Sequence, residues 1–189
     1  MPDVLDDRSP AAGAPHAIRA GSVELLGERF SIVKAGDSDV VRAAGFGSPR
    51  SLAYAVFGRQ SELIDVHPLS GDDAALVAVR AYDDGDPAPL DAVEVHQDGT
   101  ELRRAMWRAA RLVEPGTLAS YGDVAAIAGH PRAARAAASA CGACLVSLFV
   151  PVHRIVRSNG KLAGHADDVA VRQALVDHER AMGMRGAGG

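Results

Sequence analysis

Cys141 and Cys144 are the only thiols in the 189-residue chain, and they stand in Cys-X-X-Cys spacing. That spacing can lower a thiol pKa, so either side chain is a candidate nucleophile. As a metal site the pair is incomplete, because structural zinc takes four ligands and no second cysteine pair exists; no metal or cofactor is expected. Nor can two cysteines so close together staple a fold, so they fit a reducing compartment, and a cytoplasmic protein is expected. A second chemistry lies just upstream. PRAARAAASACGA (131–143) consists of small residues apart from Arg132 and Arg135. As a helix it is a thin rod whose backbone can lie close to a neighbouring helix or to a ligand, with two cations suited to phosphate.

The elements that must position these residues follow from hydrophobic period and punctuation. Thr100 is placed as the N-cap of a helix in which Leu102, Ala105, Met106, Ala109, Leu112 and Val113 recur at helical spacing, ending before Pro115-Gly116. Ser120 with Asp123 forms a capping-box pattern that opens a short helix over YGDVAAIAG, and Gly129 is placed to end it. Pro131 suits the first position of the next helix. Two short helices with a tight turn between them match a helix-turn-helix. Downstream, LVSLFVPV (145–152) reads as a buried β-rich run. A polar turn at Arg157-Ser158-Asn159-Gly160 follows, and Asp167 or Asp168 is placed to start a last helix reaching Glu179.

The first half has a different period. SVELLGERFSIVKA (22–35) alternates around a Gly27-Glu28 turn, and LAYAVFG (52–58), LIDVHPL (63–69) and LDAVEV (90–95) add short, partly alternating runs. Ser70 or Asp72 is placed to cap a helix through Tyr82, so an α+β chain with a small antiparallel sheet at its start is expected. The organisation is read as a disordered acidic tail at 1–16, an N-terminal domain at 17–99, a DNA-binding domain at 100–182 and a flexible tail at 183–189. Residues 1–99 hold 8 Lys/Arg against 17 Asp/Glu, whereas residues 100–189 hold 12 against 7. The later half is therefore the candidate phosphate-facing surface. No apolar stretch approaches the roughly 20 residues of a membrane-spanning helix.

The ordered segments SYGDVAAIAG, HPRAARA, VPVHRIV, NGKLAGHA and ALVDHE resemble the C-terminal domain of the O6-alkylguanine-DNA alkyltransferases, without a gap from Tyr121 to Glu179. Residues 17–99 match that family's smaller domain in element order only. The resemblance implies a ribonuclease-H-like N-terminal domain and a winged-helix-like C-terminal domain whose helix-turn-helix enters the minor groove of double-stranded DNA. It places Arg135 as the arginine that fills the gap left by a flipped nucleotide, Tyr121 against the flanking phosphate and Arg132 in a lesser contact. His153 falls at the position of the base that activates the acceptor cysteine, and Glu179 at that of its orienting carboxylate.

At the acceptor position itself the chain carries Val152, which has no lone pair to displace an alkyl group. Cys144 replaces the asparagine that braces the family's active-site loop, and His165, next to Ala166, replaces a tyrosine of the base-holding segment. A branch without the cysteine, the alkyltransferase-like proteins, binds alkylated guanine and recruits excision repair. The expectation is therefore a monomer that binds alkylated DNA without alkyl transfer and signals to nucleotide-excision repair. The alternatives are an alkyl acceptor using Cys141 or Cys144, and a lesion-independent DNA-binding paralogue.

Overall fold

The computed structural model describes residues 17–186, and the tail expected at 1–16 lies outside them. They form two compact units. The first comprises residues up to Gln97 together with Leu145–Phe149; the second comprises Asp98–Cys144 and the chain from Val150 onward. The segment 145–149, read from sequence as part of the second domain, thus joins the first unit. The cause is backbone pairing: Ala44 N donates to Leu145 O at 2.8 Å, and Ser147 N donates to Ala44 O at 2.9 Å.

In the first unit β1 (Ala17–Leu25), β2 (Glu28–Ala35), β3 (Val41–Phe46) and β4 (Asp65–Pro68) form one sheet in the order β3-β2-β1-β4. β1, β2 and β3 pair antiparallel, while β4 joins β1 in parallel. The β1–β2 hairpin turns on Leu26-Gly27, one residue earlier than the sequence suggests, with φ of 53° and 80°. Two successive positive φ values match the twist of a tight hairpin, and glycine takes the second without a Cβ clash. One face of the sheet buries Ile18, Ala20, Val33 and Ala43 against α1 (Pro49–Phe57). On the other side of β1, Gly21 lets α2 (Ala74–Asp84) close in, since an added Cβ would stand 2.9 Å from Leu76 Cδ1.

Three runs read as strands have other structures. LAYAVFG falls mostly in α1, because Ser48 caps the backbone of Ser51 and Pro49 supplies a preset first turn. LDAVEV begins in a 3-10 turn at Ala88–Ala92 and contributes only the bridge Val41↔Val95. LVSLFVPV is buried but forms no ladder, being interrupted by Leu148 at φ 74° and bridged to Ala44 through Val146 alone. The cap of α2 is Asp73 rather than Ser70 or Asp72, accepting from Ala75 N at 3.0 Å. Asp73 also pairs with the buried Lys34 at 2.7 Å, tying β2 to the start of α2.

The second unit is mainly helical: α3 (Glu101–Arg111), α4 (Tyr121–Ile127), α5 (Ala134–Gly142) and α6 (Ala166–Gly186), with short strands β5 (Ala119–Ser120) and β6 (Ile155–Val156). The expected tail at 183–189 is helical through Gly186. Thr100 caps α3 as expected, and Ser120 and Asp123 close a reciprocal capping box on α4. The buried side of α3 is Met106, Trp107, Ala109 and Ala110; Leu102 and Leu112, assigned to that side from sequence, are exposed. Trp107 Nε1 donates to Ala140 O at 2.8 Å, so the small residues of α5 do admit a close neighbour, which is α3. α5 starts three residues after Pro131. His130 O accepts from Ala133 N at 2.8 Å, closing a turn with Pro131 inside it, and the helix begins only after that turn.

Candidate functional site

Residues 150–156 carry the centre of the candidate site. Val152, His153 and Arg154 form a single 3-10 turn after Pro151, and all three side chains are buried. One helical turn of α6 brings Glu179 to them: Leu175, Val176 and Glu179 are buried at i, i+1 and i+4 on one face. His153 Nε2 lies 2.8 Å from Glu179 Oε1. Arg154 forks onto the same carboxylate, with Nε 3.1 Å from both oxygens and Nη2 2.8 Å from Oε1, while its Nη1 donates to Val113 O at 2.6 Å. Gly116, at a φ of 75°, donates its N–H to Oε2 at 2.8 Å.

The electrostatics follow from this accounting. Burial pushes the Glu179 carboxyl up, but the bonds from His153 and Arg154 outweigh it and hold its pKa at about 2. Glu179 is therefore an ionised acceptor, and the His153 nitrogen facing it must carry the proton, which leaves Nδ1 as the ring acceptor. Burial holds His153 below its ordinary pKa, against the raising effect of Glu179, so the imidazole stays neutral at neutral pH. A neutral imidazole oriented by a carboxylate is the arrangement of a general base. Its immediate neighbour, however, is Val152, 4% exposed and without an ionisable proton.

The other residues singled out from sequence are distributed around this centre. Tyr121 is the first residue of α4 and half-buried; burial raises its pKa, Cys141 adds to the rise, and Arg172 and Arg157 oppose it. Cys141 lies in the last turn of α5, and burial pushes its thiol up to about 12, which disfavours the thiolate. Cys144 is half-buried just beyond, its N–H donating to Cys141 O at 3.3 Å, and neither cysteine is in a disulfide. Arg135 is exposed in the first turn of α5, whereas Arg132 is exposed in the preceding turn and not on the helix. His165 and Ala166 are exposed at the start of α6, where His165 O accepts from Val169 N at 2.9 Å.

The structure thus brings His153 and Glu179 together and leaves Arg132, Arg135, His165 and Ala166 on the surface. Sequence reasoning missed Arg154, whose charge next to a histidine in a buried run was the available signal. Among the described residues no group of three or more His, Cys, Asp or Glu side chains could hold a metal ion.

Residues 101–181 match the family described as 6-O-methylguanine DNA methyltransferase, DNA binding domain. The methylated-DNA–protein-cysteine methyltransferase of Salmonella typhimurium is 40% identical over 98 residues, 52% of this chain and 57% of that protein. Its namesake in Saccharomyces cerevisiae strain YJM789 is 42% identical over 82 residues, 43% of this chain and 44% of that protein. The chain therefore spans about half the length of the curated relatives it matches. The crystal structure of Mycobacterium tuberculosis O6-methylguanine methyltransferase shares the fold at a TM-score of 0.70 and 23% identity, covering 87% of this chain and 94% of that one. A further structure of the Mycobacterium tuberculosis protein, in complex with DNA, aligns at a TM-score of 0.66 and 24% identity over the same 87% of this chain.

Proposed function

We propose that the chain, whose residues 101–181 match the DNA-binding domain of the 6-O-methylguanine DNA methyltransferases, is a member of the O6-alkylguanine-DNA alkyltransferase family that binds double-stranded DNA carrying O6-alkylguanine, flips the modified nucleotide and transfers no alkyl group. The observation that carries this reading is Val152 beside an intact His153–Glu179–Arg154 network. A base without a nucleophile cannot complete the displacement, since the alkyl carbon needs an attacking lone pair. The fold around the site is retained, so the capacity to bind remains. Extruding a nucleotide costs a few kcal/mol and costs least at damaged pairs, which favours modified over intact DNA. Arg135, exposed at the start of α5, is the side chain available to fill the gap in the stack. A bound, unrepaired lesion is a signal, and recruitment of nucleotide-excision repair to it by a monomer is the corresponding role.

The test is a pair of titrations of one duplex with and without O6-methylguanine. Tighter binding of the modified duplex, lost in Arg135→Ala, supports the reading. Equal binding of both duplexes overturns it in favour of a lesion-independent DNA-binding paralogue.

A further inference from the structure

The DNA-binding reading leaves Cys141-Gly142-Ala143-Cys144 without a task. The backbone holds the two thiols in one turn. Cys141 ends the buried side of α5, after Ala137 and Ala140. Ala143, the C-cap, keeps the chain turning at φ −99° and ψ 7°, and Cys144 N donates to Cys141 O at 3.3 Å. A turn closed by such an i to i+3 bond keeps its end Cα atoms under about 7 Å apart, and a disulfide needs about 4.4 to 6.8 Å. Positions three apart in helical backbone also share a face, with Cβ atoms about 5 to 6 Å apart. A disulfide brings Cβ atoms to about 3.5 to 4.5 Å, so the turn must tighten by about 1 to 2 Å. The place can yield, because it is the end of a helix and Gly142 between the cysteines is exposed. Apart from its own backbone neighbours, no atom lies within 4 Å of where a Gly142 Cβ would stand.

The two thiols differ in what can reach them. Cys144 is half-buried, so a small oxidant has access to its sulfur. Cys141 is 5% exposed, and burial disfavours its thiolate, the form that oxidants attack. An oxidant therefore meets Cys144 first, with Cys141 held behind it in the same turn. Among the described residues no third His, Cys, Asp or Glu joins the pair to hold a metal ion.

We propose that Cys144 is a site of reversible oxidation by hydroperoxides, with Cys141 as its resolving thiol. The Cys144 sulfur takes the terminal peroxide oxygen as the O–O bond breaks, and its thiol proton leaves with the alkoxide as an alcohol, or as water from hydrogen peroxide. The Cys141 sulfur then attacks the sulfenic Cys144 sulfur. The S–S bond forms, the S–O bond breaks, and the departing hydroxide takes the Cys141 proton to become water. Two thiols and one hydroperoxide thus give one disulfide, one alcohol and one water. Closing the bond removes Cys144 from reaction with electrophiles, and an external dithiol, itself oxidised to its disulfide, restores it. A transient disulfide is the form that suits a reducing compartment.

The test exposes the full chain, reduced and freed of reductant, to hydrogen peroxide beside Cys141→Ser and Cys144→Ser. Remaining thiols are blocked with iodoacetamide in denaturant, the intact mass is read, and trypsin releases residues 136–154, which contain both cysteines and no methionine. In the unmutated chain this fragment is expected to lose two hydrogens and take up no iodoacetamide, and dithiothreitol should restore both thiols. In Cys144→Ser the fragment should stay unoxidised at the same dose, because the remaining thiol is buried. In Cys141→Ser residue 144 should gain two or more oxygens that dithiothreitol does not remove, since a sulfenic acid without a partner thiol oxidises further. Should Cys141→Ser fail to fold, the unmutated chain and Cys144→Ser decide the question, Cys144 being only half-buried. Oxygen accumulating at Cys144 of the unmutated chain in place of the disulfide, a disulfide formed between two molecules, or thiols that all remain open to iodoacetamide overturns the pairing. Oxidation of Cys141 in Cys144→Ser as fast as that of the unmutated chain overturns the assigned roles.

Discussion

Each unit buries a charged pair, and the two pairs are used differently. In the first unit Lys34 meets Asp73 at 2.7 Å, and the other oxygen of Asp73 caps α2. Both charges are spent on the fold, holding β2 to the start of a helix. In the second unit Glu179 accepts from His153, Arg154 and Gly116, and Arg154 also holds Val113 O. Glu179 and Arg154 thus tie the end of α3, the following loop, the 150–156 segment and α6 together. Only His153 is left with a chemical capacity that the fold does not consume, and Val152 gives it nothing to deprotonate. The comparison explains how such a network persists without a thiol: removing its carboxylate would strand a buried arginine. Retention of the network is therefore no evidence of alkyl transfer.

The comparison can be broken most severely at Glu179. Glu179→Ala leaves Arg154 buried without its carboxylate, and urea unfolding should show a loss of about 3 to 5 kcal/mol, if the protein folds at all. A loss below about 1 kcal/mol would mean that the network does not hold the second unit together.

Next in size are the first unit's pair and the acid response. Lys34→Met leaves Asp73 with its cap bond but without its ion pair, and should cost about 3 kcal/mol in the same assay. For pH, Glu179 has a folded pKa of about 2 against an ordinary 4.5, so folding favours its ionised form. That stabilisation, about 3 kcal/mol, is complete above about pH 4.5 and is lost as pH falls towards 2. His153 acts in the same direction and earlier: its folded pKa lies below 6.5, so the unfolded chain takes up the proton first as pH falls through that value. Urea midpoints should therefore decline on acidification from neutrality, and Glu179→Gln should flatten the lower part of the decline. A midpoint independent of pH would contradict the assigned protonation states.

The smallest effect is expected at the helix-turn-helix, where Ser120→Ala removes an exposed cap and should cost about 1 kcal/mol. A loss as large as that at Glu179 would erase the contrast between surface caps and the buried network.

What was legible in the sequence follows the range of the interactions. Thr100, Ser120 with Asp123, and Gly129 punctuate helices through contacts within a few residues, and the structure uses them as read. LAYAVFG was misread because its alternation is also compatible with a short helix, and the Ser48-Pro49 start signal lies just outside it. The segment 145–149 was assigned to the wrong unit because its partner, Ala44, is about a hundred residues away and no local pattern announces it. The contact of His153 with Glu179 spans 26 residues and was anticipated only through the family resemblance. Arg154 was missed for a related reason: its charge beside His153 in a buried run was visible in the sequence, but its acceptor, Glu179, lies 25 residues away.

The central claim is that this chain keeps the base and lacks the acceptor. It is tested most directly by the intact mass of the unmutated chain and of Val152→Cys after incubation with an O6-methylguanine duplex. The account predicts no gain for the unmutated chain and a partial gain of one methyl group, mapped to residue 152, for the variant. A stoichiometric methyl gain on the unmutated chain, at Cys144 or elsewhere, would contradict it.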